Sequence, residues 1–410
     1  MVRWLFRSSF LAMLALGACF QQDSVRSEYS YLHTVPVLPS DTLKETEQHY
    51  GGDVLLWRPD ESMAVLGYKD EGDLFLLDVE PDPNIGALSV PGVSASSLSW
   101  ASRYDAWGGG WSAWTAEDSS LTTFQENLIY WEKIKLAKGQ RLAPNLGAGV
   151  KVAIIDTGLD LYHPALKDNL TSDNEWRDFV DDDNVPQEEP GTHLGHGTSV
   201  AGIILQVAPE VTLLPIRALG VDGTGDLIDV VRAIDWAMLM GADIINLSLG
   251  SNADLKTLKE MLKLAKKKEL VIVASVGNQG DNEVEFPARY KKEVVNVGSV
   301  DRDDVKSSFS SYGKNLEVFA PGEDLYSLAP DSQIAVWSGT SFAAPIVTGA
   351  VALALGEADD KKVKVKELDK YISETAEDIS KRRGNQGYKK EELGKGRLNI
   401  AAFLEKAVED

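Results

Sequence analysis

The sequence predicts an α/β protein: a doubly wound, mostly parallel sheet with helices on both faces, preceded by a small α+β unit. Three observations carry this. Short, continuous apolar runs recur through the last two-thirds of the 410-residue chain, as strands buried on both faces require. Between them lie segments whose apolar residues recur at three- and four-residue steps, the period of an amphipathic helix. The two patterns alternate, which implies a doubly wound sheet, with ligands binding beyond the carboxyl ends of its strands.

The elements follow in order. "MVRWLFRSSFLAMLALGAC" has Arg3 and Arg7, a short apolar run from Phe10 to Leu16 and then small residues, an export signal rather than part of the fold. Residues 1–19 are therefore set apart, and the protein is expected to be exported. Cys19 is the single cysteine, so no internal disulfide is possible. Residues 20–90 form the small unit, with a polar stretch to about Ser40 and folded structure from 41. There "TLKETEQHY" reads as helix, and "GDVLLWRPD", "SMAVLGYKD" and "GDLFLLDVE" read as strands. Residues 91–125 are rich in Ser, Gly and Ala, with Trp100, Trp107, Trp111 and Trp114. They read as a linker whose tryptophans pack against the main domain.

The main domain spans 126–410. "VKVAIID", "VTLLPIRAL", "DIINLSL", "LVIVASVG" and "EVVNVGSV" read as its buried strands. "LIDVVRAIDWAMLM" and "DLKTLKEMLKLAKKKEL" read as helices, the second with Leu255, Leu258, Leu262 and Ala265 in one stripe. A formal charge of −22 argues against a nucleic-acid partner, since phosphate selects for basic patches.

"SGTSFAAPIVTGAVALALG" (338–356) is an apolar helix entered by a hydroxyl. Ser341 is either its cap or a nucleophile at a helix N-terminus, where unpaired N–H groups favour negative charge. A serine nucleophile needs a base and an orienting acid. Of five histidines, His196 stands between glycines at the start of a helix, and either packs structurally or acts as a base. A zinc pair with His193 lacks further ligands. Asp156 ends a buried strand, and either caps the Thr157-Gly158 turn or fixes the tautomer of His196.

Together, "VAIIDTGLD", "GHGTSVAGII" and "SGTSFAAPIVTGAVAL" resemble the subtilisin-like serine proteases, or subtilases, which carry Asp, His and Ser in this order. The resemblance covers roughly residues 126–405, with "FPARY" and "GKGRLNIAAF" extending it, and lies nearest the thermitase-like bacterial members. It implies a subtilisin-like fold and an exported serine endopeptidase. Asp156 would orient, His196 would act as base then acid, and Ser341 would attack. "VASVGNQG" places Asn278 as oxyanion donor beside the Ser341 N–H. "NLSLG" implies that Ser248, Leu249 and Gly250 pair with extended polypeptide substrate. Ser275, Val276 and Gly277 would form the other wall of the pocket for the residue before the cut bond. Asp281, Glu283 and Glu285 follow, and either favour a basic residue there or are solvated loop acids.

The resemblance also implies partners. "DFVDDDNVPQ" resembles a thermitase-type calcium loop, with Asp178, Asp183 and Gln187 giving side-chain oxygens and Val185 a carbonyl to Ca2+. Another calcium site of the family lacks its aspartate, since Ala165 stands there. Residues 20–90 resemble a propeptide, an intramolecular inhibitor that makes the chain a zymogen, with "NIGALSVPG" as the tail in the cleft. Leu16-Gly17-Ala18-Cys19 resembles a bacterial lipoprotein signal, implying a lipid anchor on Cys19, with plain secretion as the alternative. The competing function is a catalytically silent binding lipoprotein on the same scaffold. An esterase of the α/β-hydrolase kind lacks its G-x-S-x-G.

Overall fold

The computed structural model describes residues 28–70, 82–84, 88–89, 124–358 and 363–409. Cys19 with its leader, the strand expected at "GDLFLLDVE" and all four linker tryptophans lie outside them.

The small unit comprises β1 (Tyr31–Pro36), α1 (Leu43–Tyr50), β2 (Asp53–Arg58), β3 (Met63–Tyr68) and β4 (Asp82–Pro83). Its antiparallel sheet runs β2-β3-β1-β4. A capping box of Thr42 and Glu45 starts α1, and Gly51 in the left-handed region ends it. The unit begins ten residues before the expected Asp41, because β1 is one of its two central strands. One face of the sheet packs with α1 through Val35, Val54, Ala64 and Leu66. Leu32, Leu55, Met63 and Val65 face the main domain.

β5 (Leu88–Ser89) ends the small unit, and the main domain runs through α2 (Leu128–Lys133), α3 (Leu136–Leu142), β6 (Lys151–Asp156), β7 (Arg177–Asp178), α4 (His196–Val207), β8 (Thr212–Arg217), β9 (Thr224–Gly225) and α5 (Leu227–Leu239). It proceeds through β10 (Ile244–Leu247), α6 (Lys256–Lys267), β11 (Val271–Ser275), β12 (Val295–Val300), β13 (Val318–Pro321), β14 (Leu325–Ala329) and β15 (Gln333–Trp337). It closes with α7 (Thr340–Gly356), α8 (Leu368–Thr375) and α9 (Ile400–Glu409). Seven parallel strands run in the order β13-β12-β11-β10-β6-β8-β7.

Strand residues alternate between two cores. Val152 and Ile154 face α4 and α7, while Ala153 and Ile155 face α5 and α6. The sheet is doubly wound, as expected. The stripe Leu255, Leu258, Leu262 and Ala265 is fully buried. The chain leaves β8 on one side of β6 and returns as β10 on the other, so the topological switch falls at the end of β6, where Asp156 stands. The apolar helix α7 is buried from Thr340 to Ala354. Among the described residues, no helix is long and apolar enough to cross a membrane.

Candidate active site

Asp156 closes the central strand β6 and is 1% exposed. Its Oδ1 accepts from the Thr157 N–H at 2.7 Å and the Thr157 hydroxyl at 3.2 Å. His196 opens α4, after Gly195 with φ +90°. Gly197 allows close approach: a Cβ there would strike the Gly158 carbonyl. The approach brings His196 Nδ1 within 2.7 Å of Asp156 Oδ1. The other imidazole nitrogen, Nε2, is buried with no hydrogen-bond partner among the described residues. Phe342, next to Ser341, packs on the imidazole with ring centres 5.4 Å apart.

Ser341 lies in the first turn of α7. Its hydroxyl is turned to the Ser248 carbonyl and donates at 3.4 Å, so the Asp–His half of the constellation is formed and the His–Ser half is open. Asn278 lies beside the same helix start. Its Oδ1 accepts from both the N–H and the hydroxyl of Thr340 at 2.9 Å. The amide is thereby oriented, with Nδ2 on the Gly339 side, 3.2 Å from where a Gly339 Cβ would stand.

Ser248 does more than the sequence reading assigned. Pro345 lies inside α7 and has no N–H for the Ser341 carbonyl four residues back. The Ser248 hydroxyl donates to that carbonyl instead, at 2.9 Å. Asn246 Nδ2 donates to Ser248 Oγ at 2.9 Å, and Thr348 donates to Asn246 Oδ1 at 2.8 Å. All three side chains are fully buried, so β10 and α7 are tied together behind the serine. The expected pocket walls, Ser248-Leu249-Gly250 and Ser275-Val276-Gly277, lie at the carboxyl ends of the adjacent strands β10 and β11.

Glu188 is a residue that the sequence reading did not single out. It is buried behind Asp156. Its Oε1 accepts from the Thr157 hydroxyl at 2.8 Å and the Gly197 N–H at 3.0 Å, and its Oε2 from the Thr198 hydroxyl. It ties the β6 turn to the start of α4. Burial, more than the nearby charge of Asp156, pushes its pKa up to about 7. His193 stands apart from the Asp–His pair, against Thr192, with its pKa lowered by burial and then by His196.

The expected calcium ligands share one loop. Asp178 Oδ2 is held by Arg217 at 2.8 Å, and its Oδ1 takes the N–H groups of Val180 and Asp181. Asp183 Oδ1 accepts from Val185 N–H at 2.7 Å, and Gln187 Oε1 from Leu161 N–H at 3.1 Å. Among the described residues no three His, Cys, Asp or Glu side chains converge as a metal cage. The oxygen-only donors suit a hard cation, but Arg217, also paired with Asp181 and Glu189, is a fixed competitor for the Asp178 carboxylate.

Comparison with known proteins decides the family. A family model described as "Subtilase family" matches residues 147–396, well over half the chain. The chain belongs to the subtilase family. That membership makes it a serine-type endopeptidase acting on polypeptides. It is 39% identical to thermitase of Thermoactinomyces vulgaris over 217 residues, covering 50% of this chain and 75% of that protein. It is 38% identical to the major intracellular serine protease of Bacillus subtilis (strain 168) over 222 residues, covering 50% and 68%. An alkaline protease of Alkalihalobacillus alcalophilus aligns further, at 33% identity over 304 residues, covering 72% and 74%.

Proposed function

We propose that this subtilase cleaves peptide bonds with Ser341 as nucleophile, His196 as general base then acid, and Asp156 as the orienting carboxylate. The observation that carries this reading is the 2.7 Å bond between Asp156 Oδ1 and His196 Nδ1. It fixes the tautomer in which Nε2 bears a lone pair, and Nε2 has no other partner among the described residues. Rotation of the Ser341 hydroxyl away from the Ser248 carbonyl closes the second hydrogen bond. His196 then takes the serine proton as Oγ attacks the carbonyl carbon, and returns it to the leaving amine. The oxyanion is met by the Asn278 Nδ2–H and the Ser341 N–H, with the helix start adding positive potential.

The chain is further proposed to be an exported zymogen, lipidated at Cys19, whose residues 20–90 inhibit until they are cut away. Supporting this, the small sheet is docked on α5 and α6, and Leu88–Ser89 pairs antiparallel with Thr224–Gly225. That is how an extended peptide adds to a strand edge. One pair of samples tests the reading. Wild-type chain is expected to lose the small unit by intact mass and to label with a serine-reactive phosphonate. Ser341→Ala is expected to keep the unit and not to label. Full-length wild type that never labels would favour the silent scaffold.

Calcium on the 178–187 loop is proposed as a structural ion that takes no part in the chemistry. Millimolar Ca2+ should raise the Tm of Ser341→Ala by several degrees over chelator. Equal Tm values would leave the loop to Arg217.

A further inference from the structure

Residues 285–286 cross between the two pocket walls. The Glu285 N–H donates to the Val276 carbonyl at 3.0 Å, and Phe286 and Ser251 exchange backbone hydrogen bonds of 2.8 and 2.7 Å. This bridging backbone puts the Glu285 side chain between Gly250 and Gly277. A Cβ on Gly250 would land on its Oε2, and one on Gly277 on its carboxyl carbon and Oε1. Only glycine walls leave room for the carboxyl group.

Glu285 is 6% exposed, yet no donor reaches its carboxylate among the described residues. Other buried glutamates differ. Glu188 holds Thr157, Gly197 and Thr198, and Glu317 accepts from Ser373. Arg289, on the same segment, is engaged elsewhere: it pairs with Glu283 and stacks on Phe286, 4.5 Å from the ring centre. Asp281 adds negative charge. Burial first and Asp281 second push the Glu285 pKa up to about 7, as expected of a carboxylate lacking its counter-charge.

We propose that Glu285 is the specificity determinant of the pocket for the side chain preceding the cut bond, and that it selects arginine or lysine there. The proposal rests on the serine-protease reading above. A cationic head group between Gly250 and Gly277 supplies the missing partner as a charge-assisted hydrogen bond, while its slender aliphatic stem runs between Cβ-free walls. An aromatic or branched side chain must displace the carboxylate or bury it still unpaired, which costs binding.

The test uses mature enzyme and peptide substrates alike except for Arg, Lys, Phe, Leu or Ala before the cut. Wild type is compared with Glu285→Gln and Glu285→Gly. Rates are expressed per active site titrated with a serine-reactive phosphonate, so that loss of folded protein does not count. Wild type should favour Arg and Lys over Phe and Leu in kcat/KM, and Glu285→Gln should lower the Arg-to-Phe ratio about 10- to 100-fold. Wild type that prefers apolar residues overturns the proposal. So does a substitution that scales all substrates equally. A wild-type sample with neither titratable sites nor cleavage of any substrate would instead sink the serine-protease reading itself.

Discussion

The Ser341 carbonyl shows how one residue's chemistry sets another's. In a regular helix it would accept from the N–H at 345, but Pro345 has none, and the bond comes from Ser248 Oγ at 2.9 Å. Ser248→Ala should therefore orphan a buried carbonyl and cost about 1–3 kcal/mol. Adding Pro345→Ala restores an N–H in the helical position and should recover part of that loss. Denaturant melts of both variants in a Ser341→Ala background check this, and a double variant that is merely the sum of two harms would refute it. Asp156, His196 and Ser341 could be picked out of the sequence because each sits in a short local motif whose glycines mark close approach, and the structure pairs the first two. Glu188 could not. In "PQEEPG" it has the look of a solvated charge, and only the packing of α4 onto the β6 turn makes it buried and bonded. Glu285 was legible as one acid among three after Gly277, but not as a side chain standing between Gly250 and Gly277.

At the scale of elements, the docking of the small unit depends on one extended segment that caps two helices. Asp82 accepts from the N–H groups of Lys256 and Thr257 at the start of α6. Asn84 accepts from Ile228 N–H through Oδ1 and from Leu227 N–H through its carbonyl at the start of α5. Neither helix has a side-chain cap from its own N-cap residue, so a carboxylate and an amide from elsewhere satisfy orphan donors and complement the dipoles. Asp82→Ala in the uncut Ser341→Ala chain should cost about 1–2 kcal/mol. Hydrogen exchange over residues 31–68 should then quicken, while β6 and β10 keep their protection. Equal acceleration everywhere would mean that the capping does not hold the unit. Five strands of the main sheet, β6, β8, β10, β11 and β12, were readable because each is a continuous apolar run, whereas β13 ("VFAP") and the two-residue β7 were not. β1 was not, since "YLHTVP" alternates weakly and becomes a strand only by pairing with β3 and β4. The two-residue strands β4, β5, β7 and β9 likewise exist only through pairing.

Over the whole molecule, buried ionisable groups set the pH dependence of stability. Glu188, Glu285 and Glu317 each have a pKa pushed up to about 7, chiefly by burial, against an unfolded value of 4.5. Between those values the folded chain binds protons that the unfolded chain has released, so stability is fullest below about pH 4.5 for these groups and declines as pH rises through 7. Burial lowers the pKa of His33, His163 and His193, which acts in the opposite sense up to pH 6.5 and offsets part of that decline. Lys306, pushed down to about 8 by burial, returns stability only from pH 8 toward 10.5. The net charge of −22 grows more negative over the same range and adds self-repulsion. The uncut Ser341→Ala chain should thus lose about 2–4 kcal/mol between pH 5 and 7.5, with a shallow minimum near pH 7.5–8. Glu317→Gln keeps an oxygen for the Ser373 hydroxyl, which Glu317 accepts at 2.7 Å, and removes one titration, so its slope should be visibly flatter. Denaturant melts at four pH values give the answer. Stability that climbs from pH 5 to 7 would show that these carboxylates are ionised and satisfied in the folded protein.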